Sequence, residues 1–157
     1  MTHRRRLLAT LAAGALLAVS LPVAAEGPAA GTSVTTPAMT VWKDPNCGCC
    51  GAWVEHMRAA GYRVEVRDTG ALDAVKRMYG VPPRLHSCHT ALVDGYLVEG
   101  HVPAEDVGRL LAERPKARGL AVPGMPHGSP GMETGHKDPY DVVLFGADGG
   151  DKVFASR

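Results

Sequence analysis

The chain has 157 residues, with 17 Lys+Arg against 16 Asp+Glu, seven His and four Cys, a length that suits one modest domain. A formal charge of +1 leaves no basic stripe for nucleic acid. A charged fraction of 21% beside 45% hydrophobic residues excludes a disordered composition, and aromatics at 5% predict a core built mostly of Val, Leu, Ala and Met.

Arg4-Arg5-Arg6 followed by the uncharged apolar run Leu7–Leu21 has the layout of an export signal, with Val23-Ala24-Ala25 offering small residues for cleavage after Ala25. The apolar run is shorter than the roughly 20 residues of a membrane span, and no cysteine follows it for a lipid anchor. Adjacent arginines also fit a twin-arginine signal. Residues 1–25 are therefore expected to be a cleaved signal peptide, which predicts a periplasmic protein of Sec or twin-arginine type with no membrane anchor after cleavage. Removing its three arginines leaves a domain of about 132 residues and a net charge near −2. Residues 26–38 (EGPAAGTSVTTPA) are Gly/Pro/Thr-rich without periodicity and are expected to be a flexible linker, so that the folded domain is 39–157.

Met39–Lys43 is a short β-rich run ended by the turn residues Asp44-Pro45-Asn46. A helix fits from about Cys49 to Ala60, with an apolar stripe Cys50, Trp53, Val54 and Met57, and Gly61 stops it. Tyr62–Arg67 alternates as a half-buried strand. Thr69 can cap a second helix with Leu72, Val75 and Met78/Tyr79 inside and Gly80 as its end. Thr90–Val93 and Tyr96–Glu99 joined by Asp94-Gly95 form a strong hairpin signal. Pro103 at N1, Glu105 and Asp106 in the first turn and Val107/Leu110/Leu111 describe a third helix, which ends near Pro115. Residues 123–136 (PGMPHGSPGMETGH) are loop by composition, and Tyr140–Phe145 with Lys152–Ala155 suggest a second hairpin. The order β-α-β-α-β-β-α predicts an α/β fold: a thioredoxin-like mixed sheet flanked by helices, with a C-terminal hairpin and a Met/His-containing loop.

The chemistry concentrates in the cysteines. Cys47 and Cys50 form a C-x-x-C pair at a strand-to-helix junction, where free amide N–H groups and the helix dipole favour thiolate. Such a pair can close a disulfide or bind a metal, and Cys50, on the apolar stripe, is expected to be its more buried member. Cys49 diverges from Cys50 by about 100° around the helix, so three thiols surround a point beyond the helix end. Cys88 precedes the third strand, whose leading loop faces the C-x-x-C loop in thioredoxin-like folds. One disulfide with a spare thiol, or two disulfides, is the structural alternative in an exported chain. A tetrahedral Cys₄ zinc site is another, although the 47/49/50 trio lacks the paired-knuckle spacing of zinc ribbons.

His89 beside Cys88 and His101 at the hairpin-to-helix junction are nitrogen candidates, whereas His56, roughly 10 Å of helical rise from Cys49, is expected to be a surface residue. Met125, His127, Met132 and His136 add further thioether and imidazole donors in loop turns. Met39, Met57 and Met78 are expected to be packing residues. Thiolate, thioether and imidazole suit Cu(I), whereas Mg or Ca would want carboxylates.

The runs CGCCGAWVEHMRAAGY, GVPPRLHSCHTALVDGYLVEGHVPAEDVGRLLAERP, GLAVPGMPHGSPGME and YDVVLF resemble the CopG-type copper-resistance proteins, from about Val41 to Phe154. The resemblance implies copper binding as Cu(I) through Cys47, Cys49, Cys50 and Cys88, with several thiolate-bridged ions in one site. His101 and Met125 lie in matching blocks as auxiliary ligands. Redox interconversion of copper belongs to the same family picture, and other periplasmic copper-handling proteins are the implied partners. A competing expectation is a thiol-disulfide oxidoreductase with Cys47 as nucleophile and Cys50 as resolving thiol. Against it stand Cys49, which invites scrambled pairings, and Ser-Cys-His in place of the usual proline before the third strand. An interaction module that merely inherited the motif is the third.

Overall fold

A computed structural model describes residues 37–157 of the chain. The expected signal peptide, and the expected linker as far as residue 36, lie outside the described residues. The chain order is β1 (Ala38–Lys43), α1 (Gly48–Ala59), β2 (Arg63–Asp68), α2 (Leu72–Tyr79), a short 3₁₀ turn (Pro83–Leu85), β3 (His89–Val93), β4 (Tyr96–Glu99), α3 (Ala104–Glu113), β5 (Gly119–Ala121), β6 (Asp141–Phe145) and β7 (Lys152–Ser156).

One seven-stranded sheet runs β2-β1-β3-β4-β5-β6-β7. β1 pairs parallel with β2 across the α1 crossover, and antiparallel with β3 in the register Val41↔Ala91, Lys43↔His89. β4 returns from β3 through Asp94-Gly95, both at positive φ (47° and 85°), as the tight hairpin turn requires. The expected thioredoxin-like order is therefore present. The sequence-level reading did not include β5, a three-residue strand parallel to β4 and antiparallel to β6. It joins the C-terminal hairpin to the main sheet, so the hairpin extends the sheet rather than standing apart.

Period-two alternation divides the core into two faces. Met39, Val41, Ala91, Val93, Tyr96 and Val98 point to one face, where Trp53, Val54 and Met57 of α1 and Val107 and Leu110 of α3 cover them. On the other face Val81, Leu85, Leu97, Ala121 and Phe145 pack together with half-buried Tyr79 and Leu92. The stripe expected on α1 (Cys50, Trp53, Val54, Met57) is its buried set. In α2 the inward residue is instead Lys76, 2% exposed, while Met78 points outward at 70% exposure. The expectation of Met78 on the inner face is thus corrected: of the Met78/Tyr79 pair it is Tyr79 that packs against the core, and Met78, about 100° away around the helix, points out. The N-cap of α2 is Ala71, with the Thr69 hydroxyl accepting its N–H at 3.0 Å. Pro103 sits at the N-cap of α3 rather than at N1.

His56 is also corrected from surface residue to structural part. It is half-buried, and its Nε2 accepts the Ala104 N–H at 3.1 Å, satisfying one of the open donors at the start of α3. At the other end of the chain, Arg157 grips the buried Asp106 carboxylate of α3 at 2.6 and 3.1 Å. The loop 123–136 lies against α1. Gly131 (φ 85°) comes so close that a Cβ there would stand 2.7 Å from the Cys49 carbonyl oxygen and 2.8 Å from the Trp53 nitrogen.

Two outcomes follow from these contacts. Gly131→Ala sets a left-handed conformation and a backbone clash against α1, and is expected to lower unfolding stability by about 2 kcal/mol or more in urea melts. Burial holds the His56 pKa below 6.5, so the unfolded chain binds more protons than the native one. Its contribution is present above pH 6.5 and is lost as pH falls through the folded value. Thermal melts of the metal-free protein are expected to show this acid-side loss, with a shallower slope in His56→Gln.

Candidate metal centre

The sheet register brings the sulfurs together. β1 ends at Lys43 and β3 begins at His89, its pairing partner, so the loop leading into α1 and the residue before β3 emerge at one sheet end. Cys47 is the N-cap residue of α1, Cys49 and Cys50 occupy its first turn, and Cys88 sits immediately before β3. The four sulfurs lie within 4.8 Å of one another, a separation that a bound metal can bridge.

Cys47 and Cys50 are joined as a disulfide with a Cα–Cα distance of 5.3 Å, while Cys49 and Cys88 are free thiols. Of the alternatives open in the sequence, the oxidised C-x-x-C pair is the one this state adopts. Cys50 is fully buried and Cys47 half-buried, the asymmetry expected from the helical stripe. The free thiols continue a line of contacts: Cys49 Sγ is 3.6 Å from Cys47 Sγ and 3.8 Å from Cys88 Sγ.

A nitrogen wall closes the far side of Cys88. His101 Nε2 is 2.9 Å from Cys88 Sγ, and His101 Nδ1 is 2.8 Å from the Pro130 carbonyl oxygen. A carbonyl only accepts, so Nδ1 carries the proton and donates it to Pro130, which leaves the Nε2 lone pair facing the sulfur. Burial lowers the His101 pKa, against the opposing pull of the Pro130 bond and Glu133, so the ring is neutral at neutral pH. His89, fully buried, lies between Trp53 and His101 with ring centroids at 4.4 and 5.1 Å, and its Nδ1 is 3.4 Å from Cys88 Sγ. Its Nε2 has no hydrogen-bond partner among the described residues. Burial and the nearby His101, Lys76 and Lys43 hold the His89 pKa well below its ordinary value. Cys88, His89 and His101 thus form a second ligand-competent group that shares Cys88 with the sulfur cluster.

Burial, reinforced by the neighbouring Cys49, pushes the Cys88 thiol up to about 12. The site is therefore a poor place for a free thiolate and a suitable one for a sulfur whose charge a cation neutralises.

The other candidates all belong to the loop 123–136. Met125 is 51% exposed, on the loop whose Gly124 is tied to His86 (N to O, 3.2 Å) and to the Ser87 hydroxyl. His127 and His136 are exposed, their rings 5.9 Å apart, engaged with Thr134 and Asp138 at 2.9 Å each. Met132 is half-buried in the same loop. His127 and His136 belong to neither ligand-competent group of His, Cys, Asp and Glu among the described residues. Sequence reasoning did not find the Pro130 carbonyl, because a backbone acceptor in a loop leaves no mark in residue type.

A family model described as "Protein of unknown function, DUF411" matches residues 85–132, the stretch that carries Cys88, His101 and Pro130. No curated protein matches the chain. Among solved structures, "Copper resistance protein copG- Form 2" is 46% identical over 78% of this chain and 98% of its own, with a TM-score of 0.73. "Copper resistance protein copG- Form 1" is 47% identical over 76% of this chain and 96% of its own, with a TM-score of 0.71. An α/β fold with a cysteine cluster at one sheet end, matched at this identity over three-quarters of its length, places the chain in the CopG-type, DUF411 family of copper-resistance proteins.

Proposed function

We propose that this chain is an exported copper-binding protein of copper resistance or homeostasis, which takes Cu(I) as its cargo through Cys47, Cys49, Cys50 and Cys88. The observation that carries the reading is the convergence of four sulfurs and a neutral imidazole lone pair within one small volume. The donor set fits the ion. Thiolate and imidazole are soft-to-borderline ligands, and no carboxylate joins either ligand group among the described residues, so a hard cation has little to hold. Bridging sulfurs allow several ions in one site. His101, with Nδ1 pinned to Pro130, keeps Nε2 available as an auxiliary ligand, and Met125 at the loop rim is offered as another. A ligand set that mixes sulfur and nitrogen tolerates both copper oxidation states, which supports redox interconversion as an extension of the same reading.

The proposed setting is the periplasm, after cleavage of residues 1–25 and with 26–38 as a linker ahead of the 39–157 domain. Other periplasmic copper-handling proteins are the proposed exchange partners. Among the described residues no helix is long and apolar enough to cross a membrane. The Cys47–Cys50 disulfide supports a second reading, a thiol-disulfide oxidoreductase, because the half-exposed Cys47 sulfur is the one an external thiol could reach. Turnover of a model disulfide by metal-free protein would favour that reading over copper handling.

Anaerobic titration of fully reduced protein is expected to give tight Cu(I) binding. Cys49→Ser/Cys88→Ser is expected to lower the stoichiometry and to weaken affinity beyond the roughly 10–100-fold that loss of an outer-sphere partner costs. Unchanged stoichiometry in that variant would discard the site. A thiol pushed up to about 12 is protonated at neutral pH and must lose its proton to bind a cation. Metal uptake is thus expected to release a proton from Cys88, seen as acidification in weakly buffered solution, and apparent affinity is expected to rise with pH. Cys88→Ser should release fewer protons per ion.

A further inference from the structure

Outside the ligand groups, one buried polar cluster is used by nothing described so far. Glu99 at the end of β4 is fully buried, Lys76 of α2 is 2% exposed and Thr90 of β3 is fully buried. Glu99 Oε1 accepts the Ser87 backbone N–H at 2.7 Å and the Lys76 ammonium; Oε2 accepts the Thr90 hydroxyl at 2.7 Å. The Thr90 oxygen in turn accepts from Lys76 Nζ at 3.0 Å. Every member of the cluster has a partner, and the cluster ties α2, β3, β4 and the loop before β3 to one carboxylate.

Stability alone does not explain this arrangement. A buried ion pair loses hydration on both partners, and apolar side chains of similar volume commonly serve as well or better. What an apolar replacement cannot supply is direction. Hydrogen bonds to an ionised carboxylate are short and strong, and they fix the groups they join. The groups fixed here are Ser87 and Thr90, which bracket Cys88 and His89 in the chain. Thr90 is also the register partner of Glu99, so the carboxylate reaches both sides of the ligand stretch from one point. His101 follows Glu99 by two residues, and the Gly100 N–H donates to the His89 carbonyl at 3.1 Å.

We propose that the Lys76–Glu99–Thr90 cluster is the positioning device of the Cys88 thiol. Glu99 clamps the chain before and after Cys88 and thereby sets its sulfur 3.8 Å from Cys49 Sγ and 2.9 Å from His101 Nε2. Lys76 pairs with that carboxylate and with the Thr90 hydroxyl, and so holds both in place within the sheet. The role of Cys88 as a copper ligand rests on the function proposed above; the clamp on its position does not.

The test uses the full chain, metal-free, with the Cys47–Cys50 disulfide retained so that only Cys49 and Cys88 react. Their alkylation by iodoacetamide is read by mass spectrometry, with Cys49 as internal control, in variants whose melting is cooperative. Lys76→Met/Glu99→Met removes the clamp without stranding a charge, and is expected to raise the Cys88:Cys49 rate ratio about tenfold as the Ser87 segment opens locally. Lys76→Met/Glu99→Gln keeps an acceptor for Ser87 and a partner for Thr90, and is expected to hold the ratio near wild type. A ratio unchanged in the Met/Met variant, or raised equally in the Met/Gln variant, overturns the clamp. If Met/Met does not fold, Thr90→Val decides: an increased ratio supports the proposal and an unchanged one overturns it. Cu(I)-thiolate emission is recorded on the same proteins. Wild-type chain that takes up no Cu(I) after its Cys47–Cys50 disulfide has been reduced overturns the copper reading, while the thiol ratio of the oxidised chain alone decides the clamp.

Discussion

The antiparallel pairing of β1 with β3 is the constraint on which the centre depends. Because Lys43 faces His89 across the ladder, the chain leaving β1 and the chain entering β3 share one end of the sheet. A sequence separation of 39 residues between Cys49 and Cys88 becomes a sulfur–sulfur contact without any loop having to reach. A slip of one residue would turn the side chains of one strand over and exchange its buried and opposite faces. The alternation Met39, Val41 against Ala91, Val93 on the helix-covered face makes such a slip expensive, so the hydrophobic core fixes the sulfur geometry indirectly.

α1 is the second fixed point. Its first turn carries two of the cysteines, Trp53 donates from Nε1 to the Val102 carbonyl at 2.9 Å, and His56 receives the first N–H of α3. One face of twelve residues therefore orients the sulfur loop, the stretch that follows His101 and the start of the last helix. The loop 123–136 closes over this helix at Gly131 and supplies the carbonyl that sets the His101 tautomer.

Much of this was legible in the sequence because it rests on local rules. The Cys50/Trp53/Val54/Met57 stripe, the Asp94-Gly95 hairpin and the placement of Cys88 before a strand each need only a few neighbouring residues, and each is found in the structure. What escaped was non-local. β5 is three residues long and has no periodicity of its own; it exists because β4 and β6 flank it. Lys76 occupies an inward helical position that hydropathy assigns elsewhere, and only a carboxylate two strands away makes it tolerable there. His56 looks like a solvent-facing histidine until the start of α3 is brought against it. The likeness to the copper-resistance family was legible from long ordered blocks, whereas the pairing of Cys47 with Cys50 was one of several options that composition left open.

The Cys47–Cys50 bond partitions the sulfur inventory. With that bond closed the centre offers two thiols beside the His89 and His101 rings; with it open, four thiols beside the same two rings. The donor count of the centre is therefore a function of two electrons, and the surrounding redox potential sets the capacity for soft cations before any cation arrives.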